Sequence, residues 1–230
     1  MNERLLIYQA RLSVYALLQR LYQDPPRAEL LEWLMAERPF ANFPIQLDDE
    51  VQTDLKGMDS ALTMNTLEDL RLDFMQLFIG PGPMLAPPWE SVYRNEEHLI
   101  FDRHTLEVRE FYARHGMEFI RINQAPEDSI AIELEFMKVL TERVLQALQM
   151  DDPEAERILL EEQQAFVRKH LLIWTPDFIT MTQTRAATAF YAGLAGVLRG
   201  FLNWERQTLA LLLDSLTAQG AESEPLRSCS

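Results

Sequence analysis

The stretch from Phe74 to Tyr93 constrains the fold more than any other part of the sequence, because it cannot continue as a helix. It contains four prolines, which fix φ and lack a backbone N–H, and two glycines, which allow conformations closed to other residues: Pro81, Pro83, Pro87, Pro88, Gly80 and Gly82. It also carries Met84, Leu85 and Trp89. Because loops normally expose polar groups, such a stiff apolar loop is expected to pack on the core or to present a binding surface. We predict mainly the second, with part of the loop packed.

The size and charge of the chain predict a soluble globular protein with a substantial core. It has 230 residues, of which 47% are hydrophobic, and its 21 Lys and Arg against 36 Asp and Glu give a net charge of −15. Such a charge repels nucleic-acid phosphates and anionic lipid, and it is compatible with a basic peptide as ligand. We therefore expect no nucleic-acid partner.

Three features bear on the compartment. The single cysteine, Cys229, can form neither an internal disulfide nor a paired-cysteine site, which favours a reducing environment. The N-terminal residues lack the basic flank and continuous apolar core of a signal peptide. The longest nearly uncharged stretch, Ala186 to Leu198, is shorter than the ~20 residues that cross a bilayer. We predict a cytoplasmic protein without a membrane span, and a buried helix at this stretch.

Apolar residues recur at helical spacing along most of the chain, which predicts a single all-α domain, a compact bundle of roughly eight to twelve helices. The predicted helices begin near residues 3, 28, 48, 66, 102, 126, 152, 175 and 184, and the last ends near residue 218. Residues 1–219 are predicted to form the domain, followed by a polar tail at residues 220–230. The one alternating stretch, Phe119 to Ile122, allows a brief extended piece.

Two helix starts carry specific signals. Residues Asn65 to Glu68 resemble a capping box that opens the helix before the loop. Pro126, Glu127 and Asp128 are placed in a first helical turn, where acids complement the helix dipole unless they meet a cation at a pocket mouth.

The sequence contains little that predicts catalysis. Pro81 and Pro83 lack the N–H groups that a phosphate-binding loop directs at its ligand. Ser91 lacks the glycine-flanked turn of a hydrolase nucleophile. His98 and His104, with nearby carboxylates, leave a small helical metal-binding enzyme as the alternative function. We predict a protein that is not an enzyme and that has no metal site and no cofactor.

Two further features allow both a structural and a functional interpretation. Trp89 either plugs the core or anchors a peptide in a groove, since tryptophan is enriched at binding hot spots. Gly193, Gly196 and Gly200 are more simply explained by a close helix crossing.

Two motifs resemble those of the TorD/DmsD/NarJ family of redox-enzyme maturation chaperones, most closely its DmsD-like branch. The first comprises Leu77–Pro81 and Pro87–Tyr93, and the second is Pro126–Asp128 ahead of a long helix. The resemblance implies a single all-helical domain, monomeric or dimerised by helix exchange. It also implies a chaperone that binds the twin-arginine signal peptide of a molybdenum-containing oxidoreductase precursor and assists its cofactor insertion, assembly and export.

Carried over motif by motif, the resemblance implies a peptide site with an apolar part in the first motif and an acidic part in the second. Its residues are predicted to be Phe74, Leu77, Phe78, Gly80, Pro81, Pro87, Pro88, Trp89, Glu90, Ser91, Tyr93, Pro126, Glu127, Asp128 and Ser129. A twin-arginine signal has a cationic front and an apolar middle, which these two parts complement.

Ser129 departs from the family pattern, which usually has a histidine at this position. Serine keeps a hydroxyl but lacks a group that titrates near neutral pH. If that histidine helps to read the partner, this protein reads a different partner or binds it less tightly.

Overall fold

The computed structural model describes residues 3–94, 103–117 and 126–223, and most of these residues are helical. The helices are α1 (Glu3–Gln23), α2 (Ala28–Glu37), α3 (Asp49–Met64), α4 (Leu67–Phe78), α5 (Glu90–Arg94), α6 (Arg103–Arg114), α7 (Ile130–Gln149), α8 (Pro153–Phe166), α9 (Leu172–Arg185) and α10 (Ala189–Ser223), with a π-helical turn (Val167–Leu171) between α8 and α9. The prediction of a compact all-α domain is confirmed. The predicted extended piece, Phe119 to Ile122, lies outside the described residues.

The core lies between the long helices. α7 packs against α1 and α8, while α10 packs against α3, α8 and α9. The apolar face of α7 is completely buried at Leu134, Met137, Leu140 and Val144. α10 continues to Ser223, beyond its predicted end, so the division into a domain and a tail stays a prediction.

The uncharged stretch from Ala186 to Leu198 supplies the first turns of α10. Leu194, Ala195, Val197 and Leu198 are buried there, which confirms the predicted buried helix. Among the described helices, none combines the length and hydropathy needed to cross a membrane.

The three glycines of α10 face α3 at a close helix crossing, as predicted. A Cβ atom on Gly193 would lie 2.9 Å from the backbone oxygen of Asp54, and one on Gly196 would lie 1.9 Å from the Oδ2 atom of the same residue. A Cβ atom on Gly200 would meet Val51 at 2.5 Å. A side chain at Gly193 would therefore push the two helices apart, whereas side chains at Gly196 and Gly200 would displace those of Asp54 and Val51.

The predicted helix boundary near Trp174 is wrong, and the helix start predicted at Thr184 lies five residues later, at Ala189. Pro176 lies inside α9, shortly after the π-helical turn. Because backbone hydrogen bonding is already irregular at that turn, the proline does not end the helix. The chain instead breaks between α9 and α10, where the buried carboxylate of Asp73 accepts hydrogen bonds from the N–H groups of Ala187 (3.0 Å) and Thr188 (2.8 Å). A carboxylate from α4 thus caps the start of α10.

A second capping detail also differs from the prediction. The box that opens α4 pairs Thr66 with Asp69, rather than ending at Glu68. The Thr66 N–H donates to the Asp69 carboxylate at 2.8 Å, and the Asp69 N–H donates to the Thr66 hydroxyl at 3.2 Å. The helix start itself is where the sequence predicts it.

A buried ion pair fastens α1 to the rest of the fold. The guanidinium of Arg11 contacts the carboxylate of Glu205 on α10 at 2.6 Å, and both side chains are fully buried. Arg11 also donates to Gln163 on α8 at 2.7 Å, and the hydroxyl of Tyr15 donates to Glu205 at 2.8 Å. Three helices therefore share one polar network inside the core.

Candidate functional site

The proline-rich loop folds back over the end of α4. The N–H of Leu85 donates to the C=O of Gln76 at 3.0 Å, and that of Ala86 donates to Leu77 at 2.9 Å, so the loop satisfies carbonyls that the helix end leaves free. Gly80 and Gly82 have φ values of 107° and 111°, which explains why glycine occupies both positions. The tip at Pro81–Pro83 is exposed, whereas Ala86 is fully buried. The loop is thus packed at its base and open at its tip.

The two sequence motifs meet through their backbones. Trp89 and Ser129 form an isolated antiparallel bridge. On either side of it, the N–H of Ile130 donates to the C=O of Pro88, and the N–H of Glu90 donates to the C=O of Asp128, both at 2.9 Å. Residues some forty positions apart are therefore held in register, and we call this pairing the motif junction.

The junction changes the role of the second motif. α7 begins at Ile130 with Ser129 as its N-cap, so the prediction that Pro126, Glu127 and Asp128 lie in a first helical turn is wrong. Glu127 and Asp128 form a turn, and Ser129, which pairs with Trp89, is extended (φ −79°, ψ 148°), so the helix cannot begin before Ile130. The acid in the first turn of α7 is Glu133.

Asp128 caps the short helix α5 from across the junction. Its Oδ2 atom accepts a hydrogen bond from the N–H of Ser91 at 2.7 Å. Its Oδ1 atom is buried without a hydrogen-bond donor that meets the usual geometry. Burial raises the pKa of Asp128, although the hydroxyl and the N–H of Ser91 oppose this shift. Asp128 is thus a fully buried carboxyl with one oxygen bonded to Ser91 and the other poorly satisfied.

Glu90 contacts two basic side chains. Its buried carboxylate lies 2.9 Å from the Nδ1 atom of His170 and also pairs with the guanidinium of Arg94. Arg94 donates in addition to the C=O of Lys169 at 3.3 Å. These contacts fasten α5 to the π-helical turn.

Glu127 also has a basic partner. Its fully buried carboxylate receives a bidentate pair from Arg109, with N–O distances of 2.8, 3.0 and 3.1 Å. The hydroxyl of Tyr112 donates to the C=O of Glu127 at 3.0 Å. The side chain of Glu127 is thus bonded to α6.

Glu133 is a fourth acid of this region, and it lies outside both motifs. It is fully buried, and its Oε2 atom accepts a hydrogen bond from the indole N–H of Trp174 at 3.2 Å. Tyr93 stacks on Trp174 at 5.5 Å between ring centroids. Glu133 could have been found from the sequence, because it is a charged residue on the apolar face of α7, three positions after Ile130 and one before Leu134.

The predicted site residues divide by exposure. Phe74, Leu77 and Phe78 are core side chains, and Gly80, Glu90, Ser91, Pro126, Glu127 and Asp128 are also buried. Pro87, Pro88, Trp89, Tyr93 and Ser129 are partly exposed, and Pro81 is exposed. The partly exposed group therefore supplies the accessible surface of the junction, with the core aromatic residues behind it.

The alternative function, a metal-binding enzyme, would use His98 and His104. His98 lies outside the described residues, and the Nδ1 atom of His104 lies 3.2 Å from Glu107 on the same helix. Within residues 3–94, 103–117 and 126–223, no group of three or more His, Cys, Asp or Glu side chains is arranged to hold a metal ion.

The fold and the paired motifs place this chain in a known class. It belongs to the nitrate reductase delta subunit family, whose model matches residues 45–180. The solved structure of a redox enzyme maturation protein from Archaeoglobus fulgidus has the same fold, with a TM-score of 0.51, 20% identity, and coverage of 88% of this chain and 95% of that one.

Relatives of this chain include chaperones named TorD and DmsD. The chain is 27% identical to the chaperone protein TorD of Aliivibrio fischeri, over 91% of this chain and 99% of the relative. It is 32% identical to TorD of Photobacterium profundum and 27% identical to a Tat proofreading chaperone, DmsD, of Haemophilus influenzae. These two alignments cover 60% and 61% of this chain, and 65% and 62% of the relatives, just under two thirds of each relative. The resemblance to redox-enzyme maturation chaperones is confirmed.

Proposed function

We propose that this protein is a cytoplasmic chaperone that binds the twin-arginine signal peptide of a molybdenum-containing oxidoreductase precursor and assists its cofactor insertion, assembly and export. The observation that carries the proposal is the backbone pairing of Trp89 with Ser129, which joins the two motifs. The names of the relatives, TorD and DmsD chaperones, support the same function.

The charges at the junction favour a cationic ligand. Glu90 and Glu127 already have basic partners, whereas Asp128 has a buried oxygen without a donor. A guanidinium that reaches this oxygen would form a charge-assisted hydrogen bond in a site of low dielectric. Because Asp128 is itself buried, binding includes a local movement of the residues that cover it.

The apolar half of the ligand would contact the partly exposed side chains of the loop. Met84, Leu85 and Trp89 are partly exposed on a backbone that proline and glycine hold in shape. A surface organised before binding loses little conformational entropy when the peptide arrives. Such a site suits a peptide with a basic front and an apolar middle.

The test is calorimetric titration of the whole protein with a twin-arginine signal peptide and with the same peptide carrying two alanines. We expect binding of the first only, and a Trp89→Ala variant should bind it roughly thirtyfold less tightly, as hot-spot truncations do. Leu211→Ala, at an exposed apolar position of α10, is the matched control and should bind normally. Equal binding of both peptides would contradict the proposal.

A stability measurement separates the two interpretations of Trp89. If the side chain is only a structural plug, Trp89→Ala lowers the free energy of unfolding by several kcal/mol, about 3–5, without a separate loss of binding at temperatures where the variant is folded. If it is a peptide anchor, the far-UV circular dichroism stays helical while binding falls.

A further inference from the structure

The carboxyl of Glu133 is an unusual buried group because one of its oxygens has nothing to bond. The Oε2 atom accepts from the indole of Trp174, but Oε1 is buried and has no donor. Buried acceptors are normally satisfied, and each exception calls for an explanation. A proton on Oε1 would supply one, because that oxygen would then donate rather than accept.

The neighbouring carboxyl of Glu90 is the acceptor for such a proton. The two carboxyl groups lie within hydrogen-bonding reach of each other, yet two ionised carboxylates cannot form that bond. Glu90 contacts the guanidinium of Arg94 and the imidazole of His170, whereas Glu133 contacts only a neutral indole, so the negative charge is better compensated on Glu90. The shared proton therefore belongs to Glu133.

The other groups around Glu133 favour the same assignment. Those near it are Glu90 of α5, Tyr112 of α6, Asp128 before α7 and the indole of Trp174 on α9, while Arg94 of α5 and His170 of the π-helical turn contact Glu90. Burial, Glu90 and Asp128 all raise the pKa of Glu133, and only the Trp174 N–H opposes them.

We propose that Glu133 is a positioning residue of the peptide site: its neutral carboxyl donates a hydrogen bond to Glu90 and so holds α5 in place. α5 is the element that Asp128 caps, so the same bond supports the motif junction. In its effect on peptide binding, this inference rests on the proposed function; its effect on the fold does not.

The pH dependence follows from the direction of the shift. An acid whose pKa is higher in the folded than in the unfolded state contributes stability at low pH, and loses it as the pH rises through the folded pKa. Above the ordinary glutamate value of 4.5, Glu133 must therefore be kept protonated at a growing cost. Glu133→Gln carries a permanent donor and acceptor and avoids that cost.

The first experiment is thermal unfolding of the wild type, Glu133→Gln and Glu135→Gln between about pH 5 and about pH 8. Glu135 lies on the same helix and is exposed, so its variant controls for the lost charge. We expect the melting temperature of Glu133→Gln to exceed that of the wild type by a margin that widens with pH, while the control keeps a constant margin. A margin that is constant for both variants would overturn the proposal.

Infrared difference spectroscopy observes the proton directly. Wild-type protein at neutral pH should show the carbonyl stretch of a buried protonated carboxyl, and Glu133→Gln should lack it. The same band in both proteins, or in neither, would overturn the assignment of the proton to Glu133.

Peptide titration tests the effect of Glu133 on binding. The ratio of the wild-type Kd to the Glu133→Gln Kd should rise with pH, by up to about tenfold per pH unit above the folded pKa. Parallel pH profiles in the two proteins would refute the positioning role. If wild-type protein binds no twin-arginine peptide at all, the proposed function fails, while the unfolding and infrared results still decide the state of Glu133.

Discussion

The carboxylate of Asp128 accepts a hydrogen bond from the N–H of Ser91 at 2.7 Å, and the C=O of Asp128 accepts another from the N–H of Glu90 at 2.9 Å. One residue of the second motif thus satisfies two N–H groups at the start of α5, in the first motif. Such N–H groups have no partner within their own helix, so the cap comes from thirty-seven residues away. The fold and the candidate site depend here on the same contact.

Asp128→Asn should separate binding from folding. The amide oxygen can still accept from Ser91, but the negative charge is lost. Because burial raises the pKa of Asp128, the wild type loses stability as the pH rises through that value, and the variant does not. We expect the variant to be at least as stable as the wild type at neutral pH, while binding the peptide at least about tenfold less tightly.

Asp128→Ala provides the contrast, because it removes the cap as well as the charge. It should lower the free energy of unfolding by about 1 kcal/mol, the usual cost of losing a cap. Denaturant unfolding and calorimetry on both variants make the comparison. Asp128→Asn protein that binds the peptide as the wild type does would show that this carboxylate is not the acidic part of the site.

Arg109→Met should destabilise the protein by leaving Glu127 buried without its partner. Arg109 is partly exposed, so the cost is expected to be about 1–2 kcal/mol rather than that of a fully buried pair. Urea unfolding measures it, and Glu127→Gln in the same chain should recover part of the loss. Arg114→Met is the matched control, because its pair with Glu162 is exposed and should contribute less than about 0.5 kcal/mol. Equal losses in the two single variants would contradict the role given to Arg109.

Much of the helical architecture could be predicted from the sequence, because helical periodicity is a local property. The bounds of α2 match the prediction, and α1, α3 and α6 match within a residue or two. The loop between α4 and α5 was also predictable, since proline and glycine act locally. The start of α7 was not, because it depends on the backbone bonds of Asp128 and Ile130 to the loop, which is distant in sequence.

The candidate site was predictable in its members but not in its electrostatics. The resemblance brought together two motifs that the structure joins, yet it gave no indication that Glu90 and Glu127 already have cationic partners. Charged residues on apolar helix faces were the signal that was missed. Arg11 lies between Tyr8 and Tyr15 on the buried face of α1, and Glu133 lies on that of α7. Such residues are almost never buried unless they are paired, so each one predicts a partner elsewhere in the chain.

Glycine substitutions should have opposite effects on the two sides of the α3–α10 crossing. Gly193→Ala would place Cβ 2.9 Å from the backbone oxygen of Asp54, which cannot move without its helix, so we expect a loss of about 1–3 kcal/mol. Gly57→Ala meets nothing within 4 Å in the interior of α3, so better helix propensity should stabilise the protein by about 0.5–1 kcal/mol. Thermal unfolding of both variants tests this prediction, and a stabilising Gly193→Ala would disprove the close crossing.

Arg11→Met should be the most destabilising of these substitutions. It leaves the carboxylate of Glu205 fully buried without its cation and removes the donor to Gln163, and breaking such a pair costs about 3–5 kcal/mol. The comparison variant is Arg4→Met, whose partner Glu156 keeps the hydroxyl of Tyr8, so the expected loss is nearer 1 kcal/mol. Adding Glu205→Leu to Arg11→Met should restore part of the stability, because an apolar pair leaves no buried charge, although the Tyr15 hydroxyl loses its acceptor. Urea unfolding of the three variants measures these effects, and a double variant no more stable than Arg11→Met would show that the loss comes from packing rather than from an unpaired charge.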